Sequence, residues 1–132
     1  MRAKLVFTAF VTLVAMQEPV HANVMWSAST IEELREWAVD LGCYPRVARF
    51  DKKSVDILVL IVGCGSAFPS EDIYLYVRNG PEDDWYLVVM LRTGATVSVE
   101  TDKAGKSLLF RGKTSPDWTK TKTLLIVPLD SL

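Results

Sequence analysis

The chain has 132 residues, 49% of them apolar and 23% charged, with a formal charge of −1. Those proportions fit one globular domain and exclude a disordered, collagen-like or multidomain protein. They also carry no positive excess of the kind that holds nucleic acid by counterion release or a membrane surface by a polybasic stretch.

Arg2 and Lys4 precede an apolar run from Leu5 to Met16, then a polar stretch through Pro19, then Val20-His21-Ala22. A basic start, a short apolar run and small or apolar residues at the −3 and −1 positions predict a signal peptide over residues 1–22, cut after Ala22. The run is shorter than the roughly 20 apolar residues that span a bilayer. Export would leave a single domain, residues 23–132, with no membrane anchor, in a secreted or periplasmic setting. That domain has 13 basic and 15 acidic side chains and no histidine. In an oxidising compartment the two cysteines, Cys43 and Cys64, are expected to form a disulfide.

Ser29 and Thr30 are each followed three residues later by a glutamate, Glu32 and Glu33, a doubled capping-box pattern. Ile31, Leu34, Trp37, Ala38 and Leu41 recur at helical spacing, and Gly42 supplies a stop, so an amphipathic helix of about three turns is predicted here. Strands follow. Tyr44 to Phe50 and Val55 to Val62 flank the turn residues Asp51 to Ser54. In an antiparallel hairpin about that turn, partners have numbers adding to 107, as do Cys43 and Cys64. Hairpin and disulfide therefore support each other, because the strand ends would meet at bridging distance.

Ile73 to Arg78 and Trp85 to Arg92 flank the turn-rich loop Asn79 to Asp84, and Thr93-Gly94 reads as a two-residue turn into Ala95 to Thr101. In that register Tyr86, Val88 and Met90 share a core face, while Leu87, Val89 and Leu91 lie on a mixed face opposite Glu100, Ser98 and Thr96. The mixed face is either covered by the helix or exposed for binding. Ser107 to Lys113 is a further strand, and Pro128 places the last run, Leu124 to Leu129, at a sheet edge or near a strand end. The expected fold is α+β: one N-terminal amphipathic helix on a curled antiparallel meander of about six strands. That layout resembles cystatin-like inhibitor domains, but the inhibitors' Gln-x-Val-x-Gly motif is absent and the layout carries no function by itself.

The motifs exclude more than they identify. Gly63-Cys64-Gly65 lacks the third glycine of a dinucleotide fingerprint, and Gly105-Lys106-Ser107 and Gly112-Lys113-Thr114 lack the upstream glycine of a phosphate loop. No cofactor and no metal site is expected. Without imidazole or free thiol, nucleophilic catalysis loses its usual base, leaving carboxylate chemistry on Asp56, Glu71, Asp72, Glu82, Asp83, Asp84 or Glu100. Asp56 interrupts an apolar strand but lies near its end, where it is expected to face water. No catalytic residue is assigned.

Trp118, set among hydroxyls and Lys120 and Lys122 in the 115–123 segment, is the leading binding candidate. Tyr74 and Tyr76 share a strand face, and Trp85, Leu87 and Val89 belong to the loop and mixed face described above. The sequence thus predicts an exported, non-enzymatic binding module whose partner is another protein, recognised or inhibited. Two alternatives stand beside it: a carbohydrate-binding module stacking sugars on exposed aromatics, and a structural or oligomer-forming domain.

Overall fold

The structure, a computed structural model, describes residues 24–64, 70–114 and 118–132. The expected signal peptide and cut, and residues 115–117 of the Trp118 segment, lie outside the described residues.

The first element is a two-residue strand, β1 (Ser27–Ala28), followed by the helix α1 (Ile31–Asp40). Of the two capping boxes the sequence offers, the Thr30 box is made. Thr30 Oγ1 accepts from the Glu33 amide at 3.2 Å, and Glu33 Oε1 accepts from the amides of Ser29 and Thr30 at 2.7 and 3.0 Å. Glu32 instead pairs with Arg35 on the exposed face. Gly42, at φ +79°, takes the left-handed conformation that ends a helix and that residues with a Cβ avoid.

Among the described residues seven strands follow: β2 (Tyr44–Lys52), β3 (Val55–Gly63), β4 (Glu71–Arg78), β5 (Trp85–Arg92), β6 (Ala95–Thr101), β7 (Ser107–Thr114) and β8 (Thr121–Pro128), with a 3-10 turn at Leu129–Ser131. They form not one curled sheet but two, of order β1-β5-β4-β3-β2 and β6-β7-β8, and every pairing is antiparallel. The β2–β3 hairpin has the predicted register, from Tyr44 opposite Gly63 to Lys52 opposite Val55. Cys43 and Cys64 are disulfide-bonded just beyond it, their Cα atoms 4.2 Å apart.

The larger sheet lies between two layers. On one face Leu58, Leu60, Val62, Tyr74, Tyr76, Trp85 and Met90 pack with Leu34 and Ala38 of α1 and with Val24 and Ala28. On the other face Ile57, Val59, Ile61, Ile73, Leu75 and Val89 pack against Val97, Leu108, Phe110, Leu125, Val127 and Leu129 of the smaller sheet and its C-terminal turn. Strands β3 and β4 are thus buried on both sides, which accounts for their near-continuous apolar composition.

The Thr93-Gly94 hairpin expected from the sequence is not formed. β5 and β6 do not pair; at Thr93 the chain steps from one sheet to the other. Thr93 Oγ1 donates to the carbonyl of Glu71 and accepts from the Ala95 amide, so the turn is tied back to β4 rather than closing on itself. The proposed mixed face disappears with the hairpin. A β-bulge leaves Val88 without a partner between Val89, opposite Leu75, and Leu87, opposite Tyr76. Leu87 therefore faces the helix layer while Val88, Val89 and Leu91 pack into the inter-sheet core.

Candidate functional site

The residues singled out in the sequence do not converge on one place. Tyr74, Tyr76 and Trp85 are 0% exposed, and Val89 is equally buried, in the inter-sheet core. The two tyrosines are not stacking platforms: they alternate inward on β4 beneath α1, where the Trp37 ring meets Tyr74 edge-on at 5.4 Å. The Tyr76 hydroxyl donates to the Met25 carbonyl at 2.7 Å. Burial pushes both phenols well above their ordinary pKa, with the nearby Asp72 charge adding to the shift at Tyr74. Trp85 is covered by guanidinium groups, Arg78 at 4.3 Å and Arg49 at 5.8 Å from its ring centre. Leu87 is half-buried; Trp118, Lys120 and Lys122 are exposed, Trp118 by 38%.

Four of the candidate carboxylates, Asp56, Glu71, Asp72 and Asp83, are engaged within the fold, whereas Glu82, Asp84 and Glu100 are exposed. Asp56 is half-buried rather than facing water, and it accepts from Arg78 Nε at 2.9 Å. Asp83 caps the loop it lies in, accepting from the amides of Asn79 and Asp84. Glu71 accepts from Arg46 Nη2 at 2.8 Å and from the Val97 amide at 2.7 Å, while the same Arg46 nitrogen donates to the Val97 carbonyl at 2.8 Å. One ion pair from the larger sheet thereby satisfies both backbone groups of a residue on the edge of the smaller sheet. The Glu71 side chain passes beside Gly63, whose missing Cβ would lie 3.5 Å from it.

Asp72, the next residue, points to the opposite face and is 3% exposed. Burial raises its pKa to about 6, against the lowering effects of Arg92 and of a hydrogen bond from the Thr93 backbone. Its Oδ1 and the Tyr74 hydroxyl have no hydrogen-bond partner among the described residues. A single buried carboxyl lacks the second carboxylate that glycoside hydrolysis needs across a cleft. Among the described residues no three His, Cys, Asp or Glu side chains converge to hold a metal ion.

What the surface does offer is a sheet edge. β2 is the outer strand of the larger sheet, nine residues long and laddered to β3 along its whole length. Pro45 sits opposite Val62 without interrupting that ladder. Since proline has no N–H to donate, its position must be one whose backbone groups point away from β3. By alternation Val47, Arg49 and Asp51 present theirs outward too. The close Cα approach at Cys43–Cys64 is that of a pair not hydrogen-bonded across the strands, which sets the same parity. Tyr44 is 73% exposed at the start of the strand, and Val39 and Leu41 are exposed immediately before it. The other edges are shorter or partly satisfied: β1 adds to β5, the Arg46–Glu71 pair covers Val97 on β6, and β8 ends in Pro128.

No protein-family model, curated protein or solved structure matches this chain. Among the described residues no helix is long and apolar enough to cross a membrane. The open edge of β2 was legible in the sequence only through Pro45, a donorless residue inside a strand; Tyr44 and the Arg46–Glu71 pair gave no local signal.

Proposed function

We propose that this protein is an exported, non-enzymatic module that recognises another protein by accepting an extended segment along β2. The observation that carries the reading is the nine-residue outer strand, with its row of outward backbone groups and with Tyr44, Leu41 and Val39 exposed at its entry. An unpaired edge of that length is a template for strand addition, in which main-chain hydrogen bonds give affinity and alternate side chains give selectivity. Two features suit β2 to the role. Its ladder to β3 and the Cys43–Cys64 bridge hold it straight before any partner arrives, which reduces the ordering cost of binding. Asp56, Glu71, Asp72 and Asp83, four of the seven carboxylates on which a hydrolytic reading would draw, are occupied in ion pairs, a turn cap and the core, which favours binding over catalysis.

The test is Val47→Pro. Like Pro45, it removes an outward N–H while leaving the bonds to β3 intact. Bait protein carrying the native disulfide, incubated with the source's extracytoplasmic fraction, is expected to retain a partner that Val47→Pro loses and Trp118→Ala keeps, with unchanged circular dichroism. Equal retention by Val47→Pro of a partner other than a second copy of this chain, or loss only with Trp118→Ala, would reject the edge as the binding surface.

A further inference from the structure

Asp51 lies directly opposite Asp56 across the β2–β3 ladder. Like charges so placed repel. Asp56 has its counter-charge in Arg78 at 2.9 Å, whereas Asp51 is exposed and has no ion pair among the described residues. On its other flank Asp51 meets the open edge. The group that would complete the row is a cation delivered from a strand added there. β2 carries such a group two residues away on the same face: Arg49, exposed, and only the more distant of two guanidiniums over Trp85.

We infer that β2 pairs with β2 of a second copy of this chain, antiparallel about a two-fold axis at Phe50, with Arg49 of each copy opposite Asp51 of the other. This rests on the reading of β2 as a binding edge and gives that edge to a second copy of this chain in place of a different protein. Three features of the strand select the register. Arg49 and Asp51 are both outward-bonding residues, so each reciprocal pair exchanges main-chain hydrogen bonds as well as charge. Pro45, which has no donor, falls outside the paired stretch Ala48–Lys52. The symmetric contact is Phe50 against its own copy, half-buried in each protomer and packed at the margin of the inter-sheet core. A two-fold contact of this kind is self-complementary, and it would join two five-stranded sheets into one of ten.

The register dictates the experiment. Sedimentation of the full disulfide-bonded chain at submillimolar concentration is expected to show a dimer. Arg49→Asp and Asp51→Arg, each alone, set like charges opposite one another twice per dimer and are expected to weaken self-association at least about tenfold. The double variant Arg49→Asp/Asp51→Arg restores opposite charges and is expected to recover the dimer. Phe50→Cys should crosslink two chains on mild oxidation, since a directly opposed, non-hydrogen-bonded pair has the Cα separation a disulfide requires. The native protein has no free cysteine to compete. A monomer at all concentrations, or a dimer indifferent to the single reversals, overturns self-pairing. A monomer whose Val47→Pro variant loses a different captured protein overturns the occupant while leaving the edge as a binding surface.

Discussion

Replacing Asp72 by Asn should make the protein more stable at neutral pH, and the gain should vanish in acid. A carboxyl that is 3% exposed, with its pKa raised from 3.8 to about 6, holds its proton more tightly in the folded state than in the unfolded one. The contribution is therefore fully present below pH 3.8 and lost as pH rises through 6, when the fold must carry a buried charge. A difference of about two pKa units corresponds to about 3 kcal/mol. Asn has nearly the same shape and keeps an oxygen for the Thr93 backbone, but it brings an amide donor with no partner, which costs about 1 kcal/mol. The net expectation is that Asp72→Asn exceeds the wild type by about 2 kcal/mol at pH 7.5. Urea unfolding followed by tryptophan fluorescence at a series of pH values between 4 and 8 gives the difference directly. It should grow from near or below zero at pH 4 to its full value above pH 7. A difference that does not change with pH, or a wild type more stable than Asp72→Asn at pH 7.5, would refute the argument.

Three further outcomes follow from the packing and are read by thermal or urea unfolding. Glu71→Ala should cost about 2–4 kcal/mol, because it strands the Val97 amide, whereas Arg46→Ala, whose side chain is half-exposed and whose loss leaves that amide bonded to Glu71, should cost about 1 kcal/mol. Equal losses would mean that the two act only as a surface ion pair. Removing the bridge as Cys43→Ala/Cys64→Ala should cost about 3 kcal/mol for a loop of this length, with the β2–β3 register unchanged by amide NMR. Gly112→Ala should cost about 1–3 kcal/mol. The added methyl would fall 2.6 Å from the Thr96 carbonyl oxygen and 2.9 Å from Leu124 Cδ1, and the backbone is the harder of the two to move.

Local signals and long-range ones separate cleanly along this chain. The helix, its Thr30 cap and its Gly42 stop were legible because each depends on residues within a turn or two. The β2–β3 hairpin and its bridge were legible because a two-residue turn fixes register by arithmetic, and two cysteines happened to satisfy it. Thr93-Gly94 had the same local appearance, but its outcome was decided by Glu71, more than twenty residues earlier, whose carbonyl takes the Thr93 hydroxyl. The faces of β5 differ from the expected ones for the same reason, since the Val88 bulge answers to pairing with β4 and leaves no mark on composition. Tyr74, Tyr76 and Trp85 show the complementary limit. Polar-tipped aromatics alternating on a strand suit a wet binding face or a core equally well, and here α1, Arg49 and Arg78 cover them.

The placement of β1 bears on the order in which the molecule can be completed. Ser27 and Ala28 add to Tyr86 and Trp85, so the leading segment finds its neighbour only after nearly sixty further residues. A chain emerging N-terminus first, from a ribosome or a translocation channel, holds Ser27 and Ala28 without their strand partner until Trp85 and Tyr86 have followed. Closure of this layer is a late event set by contact between distant residues, and a nascent chain paused short of that point would remain open to any factor that binds unfolded protein.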